Sequence, residues 1–226
     1  MRIALFGGTF DPIHRGHLRL AAAAADTFAL DRVLFAPVGH QPLKPIWPSA
    51  SFVDRVAMVR LALAAARSEW SIVSSNSIVA STDESPDPRL AVSLLDQPRP
   101  GGSPNYTVDT LTALAQEYAD ADLFALVGAD SFLDLRSWRS PDRLLALAEW
   151  IVVSRPDYPL TEARLASLVL SPNERARVHL LTSVHEDVSA TGLRRRLASG
   201  DRCPGLLPGE VANYIQAHGL YAGLKP

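Results

Sequence analysis

Two histidines and three glycines crowd the junction between the first apolar run and an alanine-rich stretch. In LFGGTFDPIHRGHLRL, His14 and His17 stand three residues apart with Gly16 between them. Gly7 and Gly8 precede them and let backbone N–H groups approach a ligand closely. The first turn of a helix adds free N–H groups and partial positive charge, and imidazoles there can donate hydrogen bonds to an anion. The junction therefore predicts a phosphate site.

Other interpretations of the same junction fit it less well. A dinucleotide-binding turn needs G-x-G-x-x-G, and a Walker loop needs lysine after its last glycine, where this chain has His17. The two histidines could bind a metal, although no third ligand is evident nearby in the sequence. They could also be incidental surface residues at a helix start.

Short aliphatic runs alternate with helical patterns and supply the elements that would position this junction. We predict strands at 2–7, 32–38, 70–75, 122–128, 150–154 and 177–182, and helices at 16–28, 51–67, 107–119, 139–148 and 161–168. The runs are apolar without alternation, as in strands covered on both faces. The fold predicted is a doubly wound, Rossmann-like α/β domain with a parallel sheet of five to six strands and helices on both faces. In such sheets ligands bind beyond the carboxyl ends of the strands.

After the last predicted strand, the segments SATGLRRRLASG and LPGEVANYIQAHGLY predict two helices with no strand between them. Ser189 or Thr191 can cap the first helix. Val211, Tyr214 and Ile215 share one face of the second, which we expect to pack back on the sheet.

The whole chain, 1–226, is expected to form one domain, with an α/β core at 1–182 and a helical part at 183–226. Residues 81–105 hold five prolines and a Gly-Gly pair, and predict a long surface loop with a short turn near 90–95.

Composition narrows the class of protein. A net charge of −2 and a pI near 6.3 argue against binding nucleic acid through bulk charge. The single cysteine, Cys203, excludes an intramolecular disulfide framework and a multi-cysteine metal site, and favours a reducing compartment.

The run MRIALFGG is too short for a signal peptide, and LRLAAAAADTFAL is interrupted by Arg19 and Asp26. We expect no membrane span and a cytoplasmic location.

Two motifs at opposite ends of the chain resemble the signatures of the HxGH nucleotidyltransferase superfamily. GGTFDPIHRGHL resembles the first, and SATGLR at 189–194 resembles the second, S-[ST]-T-x-x-R, with Ala190 in place of a hydroxyl residue. Within the superfamily, four further segments resemble bacterial nicotinate-nucleotide adenylyltransferases: NYTVDTL (105–111), GADSFLDLRSW (128–138), WIVVSRP (150–156) and VANYIQAHGLY (211–221). The resemblance covers nearly the whole chain, apart from 81–105.

The reaction implied by this resemblance transfers the adenylyl group of ATP to nicotinate mononucleotide in NAD biosynthesis, giving nicotinate adenine dinucleotide and pyrophosphate. A nucleotide phosphate has a second pKa of about 6, so it attacks in line without a nucleophilic side chain or general base. Two unit charges about 4 Å apart repel by about 4 kcal/mol at an effective dielectric of 20. Cationic clamping and alignment are therefore the enzyme's main task. Mg²⁺ is expected to bind mainly through ATP phosphate oxygens.

The resemblance also implies roles for individual residues. The expected catalytic set contacts phosphates and comprises His14, His17, Lys44 and Arg194. The expected ATP-binding set comprises Gly7, Gly8, Thr9, Phe10, Gly16, Gly128, Asp130, Ser189 and Thr191. The expected pyridine-nucleotide set comprises Tyr106, Thr107, Asp109 and Trp138, with the Trp138 ring as a stacking platform. In the simpler alternatives Thr107 caps a helix and Trp138 belongs to the core, while Arg195 and Arg196 form a solvated face.

Rival functions remain open from the sequence. Pantetheine-phosphate adenylyltransferases and cytidylyltransferases share the first motif, although the chain length and the ending favour the nicotinate enzyme. A non-catalytic nucleotide-binding module could keep the same fold. The partners expected are ATP and nicotinate mononucleotide, with no nucleic acid or membrane. The preference for nicotinate over nicotinamide and association into a homo-oligomer stay open.

Overall fold

The computed structural model describes residues 1–42, 47–70, 87–154, 160–182 and 188–223. Within these ranges, six strands form one parallel sheet. They are β1 (Arg2–Gly8), β2 (Arg32–Pro37), β3 (Leu90–Val92), β4 (Asp122–Gly128), β5 (Glu149–Val153) and β6 (Val178–Leu181). The strand order is β3-β2-β1-β4-β5-β6, which confirms the predicted doubly wound fold. Strand order reverses between β1 and β4, so a crevice opens at their carboxyl ends.

Helices cover both faces of the sheet. They are α1 (Arg15–Thr27), α2 (Phe52–Trp70), α3 (Thr107–Glu117), α4 (Ala129–Leu133), α5 (Pro141–Leu147), α6 (Glu162–Ala166), α7 (Pro172–Ala176), α8 (Ala190–Ala198) and α9 (Gly209–Ala217). Short 3-10 turns lie at Pro100–Gly102 and Leu135–Ser137. None of the described helices is both long and apolar enough to cross a bilayer.

Successive residues of β1 point into two separate hydrophobic layers, as the pleat of a strand requires. Ala4 and Phe6 pack among buried residues of α1, α2, α8 and α9, which we call the α1 layer. Ile3 and Leu5 pack among buried residues of α3, α4, α5 and α6, which we call the α3 layer. Burial on both faces explains why the strands read as unbroken apolar runs.

The C-terminal helices belong to the α1 layer. Ser189 caps α8, because its Oγ accepts the Gly192 N–H at 3.0 Å, as the sequence predicted. Val211 and Ile215 of α9 are buried in the same cluster as the sheet residues, and Tyr214 packs against it. The predicted apolar face of the last helix is confirmed.

The strand predicted at 70–75 is not confirmed by the described residues. Trp70, where the sequence predicted a strand to begin, ends α2, and 71–75 lie outside the described residues. The strand that pairs with β2 is β3, inside the stretch predicted to be a loop. It has only three residues and forms the edge of the sheet by pairing with β2. A run this short shows no periodicity from which a strand could be predicted. Helices α4 and α7, of five residues each, were also missed.

Candidate active site

The two histidines of the first motif meet at the start of α1. His14 caps this helix, is buried, and stacks its ring on that of His17 with centroids 3.7 Å apart. The backbone N–H of His14 donates to Nδ1 of His17 at 3.2 Å. Because Nδ1 accepts this bond, a neutral His17 ring carries its proton on Nε2. His17 is thus oriented as a hydrogen-bond donor through Nε2.

The loop between β1 and α1 presents backbone rather than bulky side chains. Gly7 is exposed, Gly8 and Thr9 are half-buried, and Gly16 is buried in the first turn of α1. Phe10 turns its ring into the α1 layer, where it meets the Phe6 ring edge-on at 5.5 Å. Only the backbone of Phe10 is therefore placed to meet a nucleotide.

The second motif reaches the first through Arg194. Its Nη1 donates to the backbone oxygen of Asp11 at 2.8 Å, and its Nη2 donates to Thr191 Oγ1 at 3.2 Å. Ser189 and Thr191 are exposed at the N-terminus of α8. The structure therefore brings the starts of α1 and α8 together, although 183 positions separate Asp11 from Arg194.

The carboxylate of Asp11 holds this arrangement in place, and it was not among the residues singled out from the sequence. It is buried, and Oδ2 accepts the Ser49 N–H at 2.7 Å. Oδ1 accepts the Ala50 N–H at 3.0 Å and the Tyr221 hydroxyl at 2.8 Å. The guanidinium of Arg194 lies 3.8 Å from Oδ2. One side chain thus joins the first loop, the segment before α2 and the end of the chain.

Two more buried polar side chains support the first loop. Arg55 of α2 is fully buried and donates to the backbone oxygens of Thr9 at 2.7 Å, Val38 at 2.9 Å and Ala50 at 3.3 Å. Burial lowers the pKa of Arg55, and the Asp11 charge opposes this. Burial, followed by the Asp11 charge, raises the pKa of Tyr221 far above its usual range. Tyr221 therefore remains a hydroxyl donor at any working pH.

Gly128 and Asp130 lie beyond the carboxyl end of β4. Asp130 stands exposed in the first turn of α4, with its Oδ1 2.6 Å from where a Cβ on Gly128 would lie. Any other residue at 128 would collide with this carboxylate unless it moved. The glycine therefore lets Asp130 keep its position at the crevice.

The predicted pyridine-nucleotide residues lie on the other side of the sheet from the histidines. Tyr106 precedes α3 without a side-chain cap bond, and Thr107 begins the helix, so neither caps it through its side chain. Asp109 Oδ2 pairs with Arg99 at 3.0 Å. Trp138 is half-buried, with its ring 6.0 Å from that of Trp150, while Tyr106 also packs on the α3 layer. The sheet thus lies between the two histidines and the residues predicted to bind the pyridine nucleotide.

The segment before α3 is fastened to the loop after β2. Asn105 Oδ1 accepts the His40 N–H at 2.9 Å, and Asp96 O accepts the Gly39 N–H at 2.7 Å. A Cβ on Gly39 would lie 2.6 Å from Pro98 N, so only glycine fits there. Burial raises the pKa of Asp96, whose carboxylate accepts a hydrogen bond from Thr110. The described end of the stretch predicted as a long surface loop is therefore hydrogen-bonded to the loop after β2.

The remaining predicted residues divide as follows. Lys44 lies outside the described residues. Arg195 and Arg196 are exposed, and Arg196 pairs with Asp201 at 2.7 Å, as a solvated face would. In the part of the chain that the structure describes, no three His, Cys, Asp or Glu side chains form a group that could hold a metal ion.

Asp11, Arg55 and Tyr221 are the residues that sequence reasoning missed. Asp11 and Tyr221 both stand inside motifs quoted for the resemblance, GGTFDPIHRGHL and VANYIQAHGLY. An acidic residue between two phosphate-binding elements is itself a signal, since its charge opposes phosphate binding unless it is paired. Arg55 gives no such signal, because an arginine within a helix is usually on the surface.

Comparison with known proteins gives consistent results. The model of the cytidylyltransferase-like family matches residues 5–196. A protein described as a probable nicotinate-nucleotide adenylyltransferase from Gloeobacter violaceus is 37% identical over 221 residues, covering 97% of this chain and 96% of the relative. A counterpart from Thermus thermophilus is 38% identical over 222 residues, covering 98% of this chain and 100% of the relative.

Solved structures resemble the fold. A Plasmodium falciparum nicotinic acid mononucleotide adenylyltransferase complexed with NaAD superimposes with a TM-score of 0.69 at 16% identity, covering 97% of both chains. The same enzyme complexed with APC gives a TM-score of 0.68 at 16% identity, covering 97% of this chain and 96% of the other.

We predict that Tyr221→Phe lowers the free energy of unfolding by about 1.5–3 kcal/mol, because it removes a buried hydrogen bond to a carboxylate. The matched control is Tyr214→Phe, which removes a hydroxyl bond of 2.9 Å to Asp54, a carboxylate that is only half-buried. Urea denaturation of both variants measures the difference. Equal losses in the two would mean that the Asp11 cluster adds no special stability.

Proposed function

The chain belongs to the cytidylyltransferase-like family and, within it, to the nicotinate-nucleotide adenylyltransferases, and we propose that its two joined motifs form the phosphate clamp of this enzyme. It transfers the adenylyl group of ATP to nicotinate mononucleotide and releases pyrophosphate. The observation that carries the proposed site is the hydrogen bond from Arg194 to the backbone of Asp11, which joins the second motif to the first.

In the proposed reaction, a phosphate oxygen of nicotinate mononucleotide attacks the α-phosphorus of ATP. The bond from that phosphorus to the bridging oxygen breaks, and pyrophosphate leaves with the electron pair. The attacking phosphate is already ionised, so no side chain needs to remove a proton. What the protein supplies is positive potential and alignment.

The residues of the clamp take different parts in this proposal. Nε2–H of His17 donates to the α-phosphate region, and buried His14 keeps the His17 ring in place by stacking. Arg194, with Ser189 and Thr191 at the start of α8, holds the β- and γ-phosphates. The free N–H groups at the starts of α1 and α8 add partial positive charge. Lys44 stays in the proposed set on the strength of the resemblance alone.

The hydrogen bonding of His17 limits how the clamp can be charged. Because Nδ1 of His17 accepts from a backbone N–H, protonating it would break that bond. We therefore propose that His17 acts as a neutral donor rather than as an imidazolium. Arg194 is the permanent cation of the described clamp.

Mg²⁺ belongs to the proposal as a cation bound mainly through ATP phosphates. The nearest carboxylate in the loop, Asp11, is buried and already accepts three hydrogen bonds, so it fits a structural role better than a metal ligand. When bound, Mg²⁺ would reduce the negative charge of the phosphates.

Nucleotide placement completes the proposal. Gly7, Gly8, Thr9, Phe10 and Gly16 would meet ATP through the backbone, and Gly128 with Asp130 would meet its ribose or adenine. Tyr106, Thr107, Asp109 and Trp138 would line the pyridine side, across the sheet. The mononucleotide phosphate would then enter the crevice from the side opposite to the ATP phosphates, as in-line attack requires. A cytoplasmic location is also proposed, supported by the single cysteine of the sequence.

Pyrophosphate release from Mg·ATP tests the function, with nicotinate mononucleotide, nicotinamide mononucleotide and phosphopantetheine offered separately. We expect nicotinate mononucleotide to be the preferred substrate. Turnover with phosphopantetheine alone would overturn the substrate. ATP binding with no turnover on any of the three would favour a non-catalytic module.

We predict that His17→Ala lowers kcat by about 10²–10³-fold, because it removes a hydrogen-bond donor to charge that develops in the transition state. Pyrophosphate release at saturating substrates measures the change. The matched control is His179→Ala, which removes a similarly half-buried imidazole. His179 lies away from the crevice, in β6, and its Nε2 is 2.6 Å from a carboxylate oxygen of Glu149. A folded His17→Ala enzyme with an unchanged rate would remove His17 from the clamp.

A further inference from the structure

The guanidinium of Arg139 lies beside the proposed pyridine site, over an aromatic ring. The guanidinium carbon of Arg139 lies 4.5 Å from the centre of the Tyr106 ring, over its face. Arg139 is exposed and directly follows Trp138 in the chain. It thus touches one residue of the proposed pyridine set and is bonded to another.

The segment from 136 to 143 runs beside the first two turns of α3. Arg139 contacts Tyr106, which precedes the helix, and Arg143 donates to Thr112 Oγ1 at 3.0 Å, further along it. Helix α3 follows β3 and leads to β4, so in a parallel sheet its N-terminus lies at the carboxyl edge. Arg139 is therefore at the crevice end of this segment, and Arg143 is further from it.

The neighbouring arginines are already engaged by carboxylates or carbonyls. Arg136 donates to Leu168 O at 2.9 Å and pairs with Asp142 at 2.6 Å. Arg99 pairs with Asp109 at 3.0 Å. Among the residues that the structure describes, Arg139 has no carboxylate within ion-pair distance, and its contact is an aromatic face. A cation held in this way keeps its N–H groups available for an incoming anion.

We propose that Arg139 recognises the carboxylate of nicotinate mononucleotide and so sets the preference of the enzyme for the acid over the amide. The inference rests on the proposed function and on the pyridine side proposed there. A guanidinium can donate two parallel hydrogen bonds to a carboxylate, which a neutral carboxamide cannot match. The Tyr106 ring orients the guanidinium before substrate arrives, so less side-chain freedom is lost on binding.

The test compares Arg139→Gln with wild type on nicotinate mononucleotide and nicotinamide mononucleotide at saturating Mg·ATP. We expect kcat/KM for the acid to fall by about 10- to 100-fold, as for loss of a hydrogen bond to a charged group. For the amide we expect kcat/KM to change by less than about threefold, since no charge pair is lost. The KM for ATP is expected to stay unchanged, and Arg139→Lys is expected to retain part of the preference.

Arg143→Gln is the matched control, because it removes an exposed arginine four residues away on the same segment. We expect it to keep the wild-type ratio of the two substrates. Thermal unfolding of each variant confirms that the comparison is made between folded enzymes. A second readout, which does not depend on turnover, compares the binding of nicotinate adenine dinucleotide with the binding of NAD. Arg139→Gln is expected to weaken the binding of nicotinate adenine dinucleotide far more than that of NAD.

The outcomes separate this inference from the function on which it rests. An Arg139→Gln enzyme with the wild-type acid preference, or with equal losses on both substrates, would overturn the role of Arg139 and leave the adenylyl transfer intact. A wild-type enzyme that turns over both substrates equally well would also overturn the role of Arg139 and leave the adenylyl transfer intact. A wild-type enzyme inactive on both pyridine mononucleotides would overturn the proposed function itself.

Discussion

The buried carboxylate of Asp11 is the constraint on which the geometry of the site depends. Its two oxygens accept hydrogen bonds from the Ser49 and Ala50 amides and from the Tyr221 hydroxyl, and its backbone oxygen accepts from Arg194. A buried charge is tolerated only when it is paired and hydrogen-bonded. The loop that presents the histidines therefore adopts its shape only when distant parts of the chain are folded around it.

This constraint explains why the C-terminal segment belongs to the proposed site. Tyr221 and Arg194 come from the last quarter of the chain, yet both contact a residue that precedes α1. The α1 layer buries Leu193, Val211 and Ile215 with residues of the sheet, so packing and polar contacts act together. In the proposed enzyme the phosphate clamp is built from both ends of one chain. The pyridine side, across the sheet, is built from its middle.

The sequence predicted the fold because the strands are buried on both faces and read as apolar runs. It also predicted the cap of α8, whose signal is local, since Ser189 directly precedes the helix. It missed β3, whose three residues become a strand only by pairing with β2. The contacts of Asp11 could not be predicted, since they join residues up to 210 positions apart and follow no periodicity. Arg55 was missed for a similar reason, because its burial depends on three backbone carbonyls from two separate loops.

A double-mutant cycle on Mg·ATP binding tests most directly whether Asp11 couples the two motifs. Titration calorimetry would compare Asp11→Asn, Arg194→Gln and the double variant with wild type. If Asp11 and its loop position Arg194, the two changes are not additive, and the double variant binds ATP about as well as the weaker single variant. Fully additive losses of binding free energy would contradict the account, because Arg194 would then hold ATP independently of the first motif.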